Sequence, residues 1–160
     1  TPSSHIARAI DSVELFRERD AFLVPTLVTY WALKEEGREF GLPESSWRKV
    51  DEVLGAGLAA LERAARGGVR LVYGTDLLGG MHRHQKHEFR LRAEVQQPLD
   101  IIRSATSVAA ELVNMPGEIG TLRPGAHADL LVLDGDPLAD IGVLVEPEHL
   151  RHVVQGGAIV

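Results

Sequence analysis

Two short, nearly all-apolar runs constrain this chain most: "AFLVPTLV" at residues 21–28 and "VRLVYG" at residues 69–74. Each has the texture of a parallel strand buried on both faces. Pro25 cannot donate a ladder hydrogen bond, which argues against mid-sheet and is tolerable near a strand's exit end. Helical patterns surround the two runs. Ile6, Ile10, Val13 and Phe16 recur at three- and four-residue spacing, with Ser3 or Ser4 as cap, and predict a helix ahead of the first run. "TYWALKEEGREFGLPES" reads as a short helix and a loop. A long helix then runs from Ser45 or Ser46 to about Arg66, with Val50, Val53, Leu54, Leu58 and Leu61 on its inner face and "RGG" as its stop. This alternation is the β/α rhythm of a parallel sheet with helical crossovers.

The second half changes texture. "EFRLRAEV" and "PLDIIRSATSVAAELVNM" predict helices, the latter one or two, with Pro98 favourable in a first turn. After Gly117 glycines and prolines multiply around a strand "DLLVLD", and "LRHVVQGGAIV" carries a hairpin signal at Gly156–Gly157. The expected division is an α/β body at residues 1–115 and small β structure at residues 116–160.

Composition excludes several classes. The 160 residues carry a net charge of −6 and no long basic run, so nucleic acid is not an expected partner. No apolar run approaches the ~20 residues of a membrane span. The start, "TPSSHIARAIDSVELF", has neither the basic opening nor the apolar block of a signal peptide, nor an initiator Met, and cytoplasm is the default expectation. Cys is absent, so any metal must use His, Asp or Glu, which suits zinc, manganese or iron.

Chemistry concentrates at "VRLVYGTDLLGGMHRHQKHEF". Asp76 ends the second apolar run, at the strand edge where ligands bind in parallel α/β folds. A carboxylate there can bind a divalent cation or accept a proton from metal-bound water; equally, it can cap the following turn. His82 and His84 form H-x-H, and His87 follows. In a strand both H-x-H rings would share a face, but the run leads into helix, where residues two apart diverge. A solvated loop, a substrate-contacting loop and metal ligation all remain open. His5 reads alone as exposed or cap-adjacent. His127, His149 and His152 read as structural or surface residues. Tyr30, Trp31 and Trp47 can line a pocket, although aromatic residues at helix starts more often serve the core. Lys34, Glu35, Arg38 and Glu39 read as a solvated face. There is no G-x-S-x-G, phosphate loop or dinucleotide glycine pattern.

"FLVPTLVTYWAL", "VYGTD", "PLDIIRSATSVAAELVNMPGEIGTLRPGAHADLLVLDGDPLADI" and "VVQGGAIV" together resemble the C-terminal part of the amidohydrolase superfamily, nearest its imidazolonepropionase-like and prolidase-like metal-dependent hydrolases. The most specific block is "G-x-L-x-P-G-x-x-A-D-L-x-V-L-D-G-D-P" at residues 120–137. The resemblance implies strands 7 and 8 of a (β/α)₈ barrel with their helices, plus the C-terminal strands of a small β-sandwich domain. It implies an enzyme that hydrolyses C–N bonds of cyclic amide or peptide type in a small-molecule substrate, with one or two divalent ions, zinc first. Asp76 then matches the eighth-strand metal ligand and general acid/base. His84, His82 and Tyr30 fall where substrate is contacted. His5 lies near the sixth-strand metal-binding histidine, in a departing context. The family's first-strand H-x-H, bridging lysine and fifth-strand histidine have no counterpart here. Upstream sequence or other chains are therefore expected to complete barrel and sandwich, and the alternative is a non-catalytic fragment or assembly subunit without the metal site.

Overall fold

The structure is a computed structural model that describes residues 12–160. They form two compact units, one ending at Gln85 and one beginning at Lys86.

In the first unit, residues 12–18 are helical (α1), as the apolar spacing predicts for that part of the first helix; the rest of that helix lies outside the described residues. Strand β1 is Phe22–Leu23 and helix α2 is Leu27–Glu36. Then come α3, Glu44–Trp47, α4, Val50–Arg66, and β2, Arg70–Leu71. The strands pair in parallel, Phe22 opposite Arg70 and Leu23 opposite Leu71, as the β/α rhythm predicts. Val72 adds one bond, its N–H donating to Leu23 O at 3.0 Å.

Both strands are shorter than the apolar runs suggest. Pro25 has no N–H to extend the ladder. Thr26 then turns into the left-handed region at φ 49, and Leu27 and Val28, read in the sequence as strand, open α2. With β1 cut off, β2 has nothing further to pair with.

The long predicted helix is broken at residues 48–49. The break follows Trp47, whose Nε1 donates to Lys34 O of α2 at 2.9 Å and whose ring lies under the Arg38 guanidinium at 3.8 Å. Of the predicted inner face, Val50 and Leu61 are buried and Leu54 and Leu58 half-buried, but Val53 is 41% exposed. The stripe instead continues to Ala64, one turn on from Leu61. Gly57 lets α4 press on α2: a side chain there would meet Leu27 Cδ2 at 2.8 Å. Leu27, Val28, Ala32, Val69, Leu71, Val72, Leu77 and Met81 are also buried in this unit.

The second unit opens with α5, His87–Ala93, α6, Pro98–Ala105, and α7, Ser107–Leu112. Pro98 stands in the first turn of α6, as predicted. The later helical run is two helices, because Thr106 leaves helical geometry at φ −127 and its hydroxyl donates back to Ile102 O at 2.7 Å. Leu91, Ile101, Ala110, Ile141 and Val143 are buried, as are Glu88 and Arg92, four residues apart on α5.

Strands β3, Leu130–Leu133, β4, Leu150–Gln155, and β5, Ala158–Ile159, form an antiparallel sheet in the order β3-β4-β5. The hairpin predicted at Gly156–Gly157 is present. Both glycines have positive φ, 57 and 84, as the favoured two-residue hairpin turn requires. The described residues thus hold a two-stranded parallel pair and a three-stranded antiparallel sheet, with no closed barrel. Among them no helix is long and apolar enough to cross a membrane.

Candidate active-site edge

The chain leaves both parallel strands at the same edge. Past β1 it runs through Val24 and Pro25 to Thr26; past β2 it runs through Tyr73, Gly74 and Thr75 to Asp76. Each exit contains a non-glycine residue in the left-handed region, Thr26 at φ 49 and Asp76 at φ 50. Asp tolerates that region comparatively well, whereas a β-branched Thr is a genuine outlier. The exits approach closely, since a side chain at Gly74 would meet Val24 Cγ1 at 2.4 Å. They are also tied, because the Thr29 hydroxyl in the first turn of α2 donates to the Thr75 carbonyl. Thr29 therefore anchors the residue before Asp76, whose side chain is exposed at this edge.

The histidine stretch is a 3₁₀ turn, Gly79–His84, with Met81 buried beneath it. His82 and His84 turn to different partners. His82 Nε2 bonds the Leu77 carbonyl. His84 Nε2 bonds Glu36 Oε1 of α2 at 2.6 Å, and the Trp31 ring meets its imidazole edge-on at 5.1 Å between centroids. Arg83 donates to Glu36 Oε2 and to the Gly80 carbonyl. Tyr73 Oη donates to Gln85 O at 2.6 Å, fixing the far end of the turn. Tyr30 lies on α2 with its ring partly exposed.

Glu36 collects two donors from one loop. The hydrogen bond from His84, then the bond and charge of Arg83, hold its carboxyl below the usual glutamate range against the opposing effect of burial. Sequence reading passed over Glu36 because it sits in the charged run "LKEEGRE". A signal was there nonetheless. Val28, Ala32 and Glu36 recur at four-residue spacing, the first two are fully buried, and a carboxylate on such a stripe demands a partner. Thr29 was missed too, since a hydroxyl in an apolar helix start has no distinguishing pattern.

Of the two candidate metal ligands, only Asp76 falls among the described residues. No group of three His, Asp or Glu able to hold an ion occurs among the described residues, and His5 lies outside them. Asp76 alone does not make a cradle, so the described residues do not fit a divalent-metal centre.

The profile of the amidohydrolase family matches residues 3–160, and the chain belongs to that family. It is 31% identical over 157 residues to the ochratoxinase of Aspergillus niger, covering 97% of this chain and 32% of that protein. A crystal structure of a prolidase complexed with N-methylphosphonate-L-proline is 50% identical and superposes with a TM-score of 0.87 over 94% of this chain and 37% of that one. A crystal structure of an amidohydrolase has the same TM-score and coverage at 46% identity. The chain spans about a third of the length of these relatives.

Proposed function

We propose that these 160 residues by themselves are a non-catalytic piece of a metal-dependent amidohydrolase. The observation that carries this reading is the isolation of Asp76: the strand-exit edge holds one candidate ligand, and no three ligating groups meet among the described residues. In this reading residues 1–115 are strands 7 and 8 of a (β/α)₈ barrel with their helices, and residues 116–160 are the last strands of a small β-sandwich. The coverage of about a third of each relative supports a C-terminal segment. Upstream sequence or other chains then complete both sheets, with cytoplasm as the location.

A second reading is favoured by kinship with a prolidase and an ochratoxinase. With its remaining parts in place, the protein hydrolyses a C–N bond of cyclic amide or peptide type in a small-molecule substrate. The cofactor belongs to that proposal as one or two divalent ions, zinc first, with Asp76 and His5 as this chain's ligands. Asp76 is exposed at the strand exits, where a carboxylate can take a proton from water and return it to a leaving amine. His84, His82 and Tyr30 contact substrate.

The test is an assay of the chain alone, with and without added zinc or manganese, against X-Pro dipeptides and N-acyl amino acids. No turnover above buffer is expected. Metal-dependent turnover that Asp76→Asn abolishes would overturn the first reading and establish the second.

A further inference from the structure

Glu36 is the last residue of α2, where the free carbonyls of a helix end make another negative charge unfavourable. Its helix therefore gives no reason for its presence. The loop it faces does. One carboxylate oxygen takes His84 Nε2 at 2.6 Å and the other takes Arg83, while Arg83 ties the same turn to itself through Gly80 O. Trp31 meets the imidazole edge-on at 74° between ring planes, so the ring is held by a polar contact and an aromatic one.

The proton on this ring follows from the partner. An ionised carboxylate only accepts hydrogen bonds, and Glu36 is held ionised by His84 and Arg83. Nε2 must then carry the hydrogen. In the neutral ring Nδ1 is left bare, and among the described residues it makes no hydrogen bond. We propose that Glu36 is the positioning residue of the histidine loop: by taking Nε2–H it presents His84 Nδ1 as an acceptor, which selects a substrate group that donates, such as an amide N–H or an ammonium, over an anionic one. The substrate half of this statement rests on the reading that His84 faces substrate.

The experiment uses the 160-residue chain labelled with ¹⁵N-histidine and long-range ¹H–¹⁵N spectra at about pH 8, above the ordinary histidine range. His84 is expected almost wholly as the Nε2–H form. Glu36→Gln, whose amide both donates and accepts, turns it into a mixture, whereas Arg83→Gln leaves it unchanged. An Nδ1–H form in the unaltered chain, which needs no variant to fold, overturns the proposal; so does a ratio that Glu36→Gln does not move. For the substrate half, propionamide is expected to move the Nδ1 resonance and acetate to leave it in place. The reverse order, or no response to either, overturns that half alone. These spectra read neither metal nor turnover, so their failure is separate from failure of the hydrolase reading.

Discussion

The strand-exit edge of the first unit and the antiparallel sheet region of the second handle the same backbone problem in opposite ways. Both require positive φ. In the second unit Asn114 takes one such position after α7, and glycine takes those around the sheet, at Gly156 and Gly157 in the hairpin and at Gly120 where the backbone passes Thr106. At the strand exits Thr26 and Asp76 take them instead. Glycine accepts this conformation without steric cost, whereas a β-branched residue is strained by roughly 1–2 kcal/mol. One region has the residues that stability prefers. The other retains side chains at a local cost, which is the pattern of an edge shaped by something other than stability.

The comparison can be broken by exchanging the two solutions. Gly120→Ala should have the largest effect. Its φ is 67 and an added Cβ would lie 2.4 Å from Thr106 O, a backbone atom that cannot swing aside. A loss of roughly 2–5 kcal/mol in urea unfolding is expected from strain and overpacking together. Thr26→Gly should act in the opposite direction. Thr26 makes no side-chain cap bond, so glycine relieves strain of roughly 1–2 kcal/mol against the smaller entropic cost of a freer unfolded chain, and unfolding should show a net gain of up to about 1 kcal/mol. A loss would mean that Thr26 makes a compensating contact and that the contrast between the regions is false.

Thr29→Val sharpens the same edge. It removes the donor to Thr75 O while keeping the shape, at a cost of about 1 kcal/mol, and Thr29→Ser should restore the bond. Equal losses in both variants would show packing rather than a tether.

A smaller effect is expected from acid. The Glu36 carboxyl is held low chiefly by the His84 bond, so its folded pKa lies below its unfolded one. Its contribution is therefore fully present above the unfolded glutamate value of about 4.3 and is lost as pH falls through the folded value. The stability difference between the unaltered chain and Glu36→Gln should accordingly shrink on acidification below about pH 4, and a difference constant with pH would contradict the assignment. Smallest of all, Asp76→Asn should leave stability within about 0.5 kcal/mol, as for an exposed residue free of structural duty.

The sequence was most legible where one residue type has one use. The Gly156–Gly157 hairpin, Pro98 in a helix first turn and the parallel pairing of the two apolar runs all follow from such constraints. Strand length was not legible, because it depends on what the neighbouring strand can offer, and Pro25 with Thr26 cuts β1 short. The break between α3 and α4 was hidden because Trp47 is anchored on another helix, a tertiary contact no periodicity encodes. At the candidate site Asp76 could be picked out by its place at a strand end. Glu36 and Thr29 could not, since their roles exist only once α2 stands beside the loops they hold.

The central claim is that the described residues bring a single candidate metal ligand, Asp76, to the strand-exit edge. A native mass spectrum of the chain expressed alone, with zinc and manganese supplied, tests this most directly. The account predicts species without stoichiometric metal, whether monomeric or associated. A defined oligomer carrying near-stoichiometric zinc or manganese, with the metal lost in Asp76→Asn, would contradict it and show that chains of this protein complete one another's sites.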